Sequence, residues 1–161
     1  MSIKDEKISI IENIKLSLIK MIEQTQSAIT DAQAEANYHI GAMQSRYDTF
    51  KEEAQYLATA QKIRLIELEG HLSQCNFLIE KLSNSDFKFS KVELGAFFSV
   101  KSDLKERHYF IVPIGSGKVE KINDTDVLCV NLDAPVIKQY IGLKEGDELD
   151  NDDEEFIKKI N

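Results

Sequence analysis

Three carboxylates stand close together in the stretch Arg46-Tyr47-Asp48-Thr49-Phe50-Lys51-Glu52-Glu53-Ala54, near the middle of the only long helical pattern in the chain. Asp48, Glu52 and Glu53 offer hard oxygen donors, and one or two carboxylates completed by water or phosphate make a common shell for a small divalent cation. The plainer reading is also physical: acidic side chains in the first turn of a helix complement its positive end and need no ligand. Phe50 is either a contact residue at an exposed turn or an aromatic staple between two helices. Lys51 partly offsets the acidic charge. Which reading holds depends on the elements that carry the stretch.

From about Ile8 to Arg46 there is no proline, and Gly41 is the only glycine. Ile11, Ile14, Leu18, Met21, Thr25, Ala28 and Ala32 recur at alternating steps of three and four, the signature of a coiled-coil seam. A helix of that length needs a partner helix to cover it. The pattern resumes from Glu52 to Leu82, with Leu65, Leu68, Leu72, Cys75, Ile79 and Leu82 in the same alternation. Two similar helices in sequence predict an antiparallel hairpin over residues 1–83, turning between Gln44 and Glu52 with its tip at about 46–53. One unbroken helix pairing with a second copy is the competing arrangement. A second acidic stretch, Asp31 to His39, echoes the first, but a tip there would leave unequal arms of about 23 and 44 residues that cannot pair fully.

Beyond Leu82 the polar run Ser83-Asn84-Ser85-Asp86 carries turn chemistry and marks a boundary. Residues 84–161 then read as short strands: Val92–Lys101, His108–Ile114, Val127–Leu132 and a closing Glu155–Ile160, rich in β-branched and aromatic residues. Asp133 is placed as N-cap of a short helix, Val136–Tyr140, with Pro135 in its first turn and Gly142 at its end. The fold class expected is α+β: a long coiled-coil hairpin followed by a small antiparallel β domain with one short helix.

Composition removes several functions. The net charge of −8 argues against sequence-independent binding to a DNA duplex, which needs a basic face. It suits a protein partner with a positive channel or groove. No apolar run approaches the ~20 residues that span a bilayer, and no signal-like segment opens the sequence, so a cytoplasmic location is expected. Cys75 and Cys129 read as buried, reduced thiols. His39, His71 and His108 lack cysteine or aspartate partners at ligand spacing. Gly115-Ser116-Gly117-Lys118 misses the first glycine and final hydroxyl of a phosphate loop, and is read as a turn. No nucleophile–base arrangement can be assembled. The acidic run Asp147 to Glu155 reads as a solvated loop.

Two regions resemble the Gre family of bacterial transcription factors, which bind RNA polymerase through its secondary channel. VELGAFFSV resembles the family's opening strand, V-x-x-G-x-x-V. DAPVIKQYIGLKEGDEL resembles its S-P-L-x-x-A-L-L-G-x-x-x-G-D-E-V segment, with Pro135, Gly142, Gly146, Asp147 and Glu148 in register and Asp133-Ala134 replacing the cap serine. FIKKI resembles the closing strand, and RLIELEGHLSQC the end of the second helix. At the tip, DTFKEEAQY is set against the family's D-L-K-E-N-A-E-Y: Glu52, Ala54 and Tyr56 match, and Thr49 falls on the family aspartate with Asp48 one residue earlier.

The resemblance implies an FKBP-like second domain and a monomeric accessory factor rather than an enzyme, with no cofactor of its own and no membrane or independent DNA binding. It implies insertion of the tip near the nascent RNA 3′ end, with Asp48 and Glu52, aided by Glu53, holding a Mg²⁺ ion shared with the polymerase for the polymerase's own cleavage of backtracked RNA. Phe50, Lys51, Pro135, Gly142 and Asp147 become partner-contact candidates. The chain has no tryptophan, with which active FKBP-type isomerases floor their pocket, so prolyl isomerisation is not expected. Two other expectations stay open: a regulator that fills the channel without supporting cleavage, and a coiled-coil adaptor with another partner, self-associating through the Ile11–Ala28 seam.

Overall fold

The computed structural model of the chain describes residues 1–38, 46–115 and 117–161, with the backbone alone at 38 and 46–48. Two long helices come first, α1 (Ile3–Tyr38) and α2 (Arg46–Ser83). Five strands follow: β1 (Phe97–Lys101), β2 (Glu106–Ile111), β3 (Val119–Ile122), β4 (Thr125–Val130) and β5 (Phe156–Ile160). The expected α+β class, two long helices followed by a mostly antiparallel sheet, is the class observed. The chain divides into two compact units, one of Lys15–Ser73 and one of Met1–Ile14 with Gln74–Asn161.

Within the first unit the helices run antiparallel. Gln33, Ala36 and Asn37 line one surface depression with Gln55, Ala58 and Thr59, while Met21, Thr25 and Ala28 line another with Gln61, Arg64 and Leu68. Buried positions on α1 are Leu18, Ile22, Thr25, Ile29, Ala32 and Ala36, and on α2 Ala54, Ala58 and Leu68. The seam is bulky where Leu18, Ile22 and Leu68 lie and thins to alanine toward residues 38 and 46. Small side chains there let two backbones approach while burying little area. Thr25 satisfies its hydroxyl inside the seam by donating to the Met21 carbonyl at 2.7 Å. The helices have 36 and 38 residues, so the arms are nearly equal, as required of full pairing. Ile11, Leu18 and Thr25, on the seam that the adaptor reading uses for self-association, are buried within a single chain.

The turn is a correction. Arg46–Glu53, expected as the tip, is helical and forms the first two turns of α2. Lys51, Glu52, Glu53 and Ala54 are all good helix formers, and nothing among them stops a helix. Residues 39–45, between the helices, lie outside the described residues, as does His39 with them.

The second unit holds a sheet in the order β3-β4-β2-β1-β5. Every neighbouring pair is antiparallel except β2 with β4, which run parallel with Phe110 opposite Cys129. The sheet is mostly antiparallel, as expected from the sequence, with this one pair parallel. Strand β3 is the element the strand-like composition leaves unmarked: three of its four residues are exposed, and VEKI carries two charges. Its hairpin to β4 turns on Asn123 and Asp124, both at positive φ (52° and 59°), the geometry of a tight turn matched to strand twist.

One face of the sheet carries the core of Phe98, Val100, Tyr109, Ile111, Ile137, Tyr140 and Ile157. The ends of the helices that belong to this unit pack by α1's Lys7 over the Phe89 and Phe110 rings and by Leu78 against Gly95. Gly95 sits at φ +90°, and a Cβ there would lie 2.6 Å from Leu78 Cδ2, so both backbone and space demand glycine. Glu6 accepts a hydrogen bond from the Asn123 amide, and Lys4 donates to the Asn84 and Ser85 carbonyls. The boundary run after α2 behaves as its composition implies, with the Asn84 side chain accepting from the Asp86 amide.

Candidate functional site

The beginning of α2 carries the tip candidates. Thr49, Glu52 and Glu53 are exposed, Lys51 is half-buried and Phe50 is 42% exposed. Ala54 and Ala58 face the seam. Glu52, two residues before Ala54, therefore falls about 200° round the helix from it, on the side away from α1. Glu53 sits about 100° from Ala54, on the flank. Neither glutamate makes a hydrogen bond or ion pair with any described residue. Because the helix starts at Arg46, backbone positions 48 and 52 come one turn apart on one face. That differs from the turn-plus-helix arrangement expected, and it makes Asp48 and Glu52 neighbours by register. Asp31 and Glu35 of the echoing stretch are exposed in the last turns of α1.

The structure thus brings Asp48, Phe50, Lys51, Glu52 and Glu53 onto two turns of one helix. The other candidates lie in the second unit, between β4 and β5. Pro135 and Gly142 are exposed on either side of a 3₁₀ turn, Lys138–Tyr140. The capping role expected of Asp133 is corrected: no side chain caps this turn. Successive backbone bonds instead step from Asn131 to Ala134, Ile137, Tyr140 and Leu143, each amide reaching three residues back. Gly142, at φ +85°, then turns the chain so that its amide donates to Val92 O while Val92 N donates to Leu143 O. Asp147 closes a turn by accepting from the Lys144 amide at 2.8 Å, and its own carbonyl accepts from Ile157. Gly142 and Asp147 therefore have structural duties that explain their presence without a partner.

Reading the sequence misses Glu155. Expected in a solvated loop, it is 5% exposed. Its Oε2 accepts from the Tyr140 hydroxyl at 3.0 Å and from Asn151 Nδ2 at 3.1 Å. Burial, together with the Glu155 carboxylate, pushes the Tyr140 phenol up to about 12. The group is a bracket between the 3₁₀ turn and the loop before β5. Only the alternation leading into FIKKI, which places Glu155 in phase with the buried Ile157, hints at it. His108 is half-buried, its Nδ1 3.0 Å from Ser99 Oγ. Cys75 and Cys129 are buried thiols outside any disulfide, as expected, and desolvation pushes the Cys129 thiol up to about 12. Among the described residues no group of three or more His, Cys, Asp or Glu could enclose a metal ion.

No protein-family signature and no curated relative matches the sequence. Solved structures do. The similarity is to Gre-like factors. The GreA factor homolog 1 (Gfh1) protein of Thermus thermophilus shares 14% identity at a TM-score of 0.33, over 91% of this chain and 94% of that one. Thermus aquaticus Gfh1 shares 17% at 0.34, over 90% and 92%. A further structure of the transcription factor Gfh1 shares 16% at 0.33, over 91% and 92%.

No described helix is long and apolar enough to cross a membrane.

Proposed function

We propose that the chain is a Gre-like transcription elongation factor that binds bacterial RNA polymerase and places the start of α2 in the secondary channel. The observation that carries the reading is Glu52, exposed, without a partner among the described residues and directed away from the seam, where KEEAQY in this chain matches the glutamate of the family's K-E-N-A-E-Y. The order of elements and the Pro135 to Glu148 segment support it, since each is where the resemblance requires it.

The donor set fits a shared Mg²⁺: Glu52 and Glu53 present free carboxylate oxygens, and a hard cation takes one or two such ligands while the rest of its shell comes from elsewhere. Such an ion, when bound with the polymerase, would polarise water for attack on a phosphodiester. The chain's own share is delivery and orientation. Glu52, with Asp48 one turn before it, presents oxygen donors on a rigid helix, and Lys51 beside them offers a cation to an RNA phosphate. The chain acts as a monomeric accessory factor and has no catalytic centre of its own.

The test is RNA shortening in backtracked elongation complexes supplied with Mg²⁺. Addition of the protein should release the 3′ segment. Glu52→Gln should cut the rate at least tenfold with polymerase binding unchanged; equal loss of binding would contradict delivery of carboxylates, and failure to bind polymerase would overturn the reading. Thr49, standing where the family has aspartate, favours a second reading in which the factor occupies the channel without supporting cleavage. In that case the protein binds and competes with a cleavage factor, yet the RNA keeps its length.

A further inference from the structure

Helix α2 carries a second stripe, on the side away from α1. Within the unit Lys15–Ser73, residues Tyr56, Thr59, Ile63, Ile66 and Gly70 recur at steps of three and four, the phase of a coiled-coil seam. Each lies about 120–200° round the helix from the buried Ala54. All five are exposed, with Tyr56 at 79%, Ile66 at 69% and Ile63 at 57%. Inside a single chain nothing covers them.

Gly70 is a separate observation on the same stripe. It sits in the interior of a long helix, where glycine is less favourable than alanine. A Cβ there would meet no atom within 4 Å, so packing inside the chain does not call for glycine. A second backbone coming close would. The charges beside the stripe choose what that backbone is. Lys62 and Glu69 border one edge, and neither makes an ion pair with any described residue. On the other edge Glu67 is held by Arg64 at 3.3 Å. Consider two copies of α2 laid antiparallel about a two-fold axis, with Ile63 against Ile66 of the second copy. Gly70 then faces Thr59 of the second copy, and Lys62 falls beside its Glu69, each contact made twice by symmetry. Glu67 falls beside Ala60 of the second copy, so no like charges meet. Sliding the register until Ile63 meets Thr59 instead sets Lys62 against Lys62. A parallel pairing stacks Gly70 on Gly70 and leaves a gap in the seam.

We propose that the free chain pairs reversibly with a second copy of itself through this outer face of α2, antiparallel, with Ile63 on Ile66 at the centre and a Lys62–Glu69 pair on either side. The stripe from Tyr56 to Gly70 would bury on the order of 800 Å² over both copies, below the ~1,200 Å² at which stable complexes begin. The pair is therefore weak and exchanges with single chains. It concerns the free chain and does not depend on the polymerase reading, in which a single hairpin acts. It also differs from self-association through the Ile11–Ala28 seam, whose Ile11, Leu18 and Thr25 are already buried.

Sedimentation equilibrium of the full chain from about 5 to 500 μM, a span suited to a weak interface, is the measurement. The average mass should climb from one chain toward two and no further. Ile63→Glu should weaken pairing at least tenfold, since it puts a charge in the seam. Gly70→Ala should weaken it about two- to tenfold by holding the helices apart, although alanine favours the helix itself. Lys62→Glu should weaken it about three- to tenfold, because symmetry repeats the lost ion pair. Adding Glu69→Lys to Lys62→Glu should restore affinity to within about twofold, which a parallel pairing would not show. Leu16→Gln, an exposed apolar position on α1, should change nothing. A single-chain mass at every concentration would overturn the proposal. So would pairing that ignores Ile63→Glu while circular dichroism shows the helices intact, or a charge reversal that Glu69→Lys fails to rescue.

Discussion

Replacing Lys7 by methionine should stabilise the protein, and should do so less as pH rises. Methionine keeps most of the apolar stem that fills the space and removes the amine. Desolvation pulls the Lys7 ammonium down from an ordinary 10.5 to about 7, and the nearby cations Lys4 and Lys81 push the same way. The Asn161 main-chain oxygen and the two rings favour the charged form. Between pH 7 and pH 10.5 the unfolded chain therefore holds a proton that the folded chain has released, and stability rises with pH across that window. Each factor of ten in proton affinity is worth about 1.4 kcal/mol. The buried amine then costs on the order of 5 kcal/mol at pH 6 and about 2 kcal/mol at pH 9. The lost hydrogen bond subtracts roughly 1 kcal/mol from the gain at both pH values, and Asn161 O keeps its bond from the Phe97 amide. Urea unfolding of both proteins at pH 6 and pH 9 measures the difference. The advantage of Lys7→Met should shrink by about 2–3 kcal/mol over that interval. A gap that stays constant, or widens, would refute the argument that a desolvated buried charge is the source.

Other outcomes follow from packing. Gly95→Ala should destabilise by about 1–3 kcal/mol in chemical denaturation, because it strains a left-handed backbone and drives a methyl into Leu78. Tyr140→Phe should cost about 1–3 kcal/mol in the same measurement, since Glu155 stays buried with Asn151 as its remaining side-chain donor. Adding Glu155→Gln to Tyr140→Phe should recover part of that loss by removing the charge, a non-additivity readable in a double-mutant cycle.

Much of the fold is legible because its signals are local and periodic. The seam from Leu18 to Ala36 and from Ala54 to Leu82 repeats often enough to fix two helices of matched length. The end of the hairpin is not legible for the opposite reason: Arg46–Glu53 is acidic and polar, which suits a turn, yet every residue from Lys51 to Ala54 also suits a helix, and the helix prevails. Strand β3 escapes because an edge strand needs little apolar content, and its register is set by pairing with β4 rather than by its own residues. Glu155 escapes because its burial depends on Tyr140, fifteen residues away. For the candidate tip, residue types and spacing single out Glu52 as a candidate, and the continuous helix from Arg46 brings position 48 one turn from it.

The division of the chain into units has a consequence for its birth. Residues 15–73 form a continuous unit, whereas the unit that contains the sheet is split, with Met1–Ile14 separated from its remaining residues. During synthesis the hairpin's middle can close from neighbouring sequence as soon as α2 has emerged. The first turns of α1 must wait, because Glu6 needs Asn123 and Lys7 needs Asn161. Residues made before the hairpin's middle are therefore among the later ones to reach their native contacts. Until β5 leaves the ribosome, Ile3 and Lys7 are an exposed, unfinished surface, open to chaperones and proteases. Lengthening both arms of residues 15–73 by matched heptads would keep the seam in phase without disturbing that final closure.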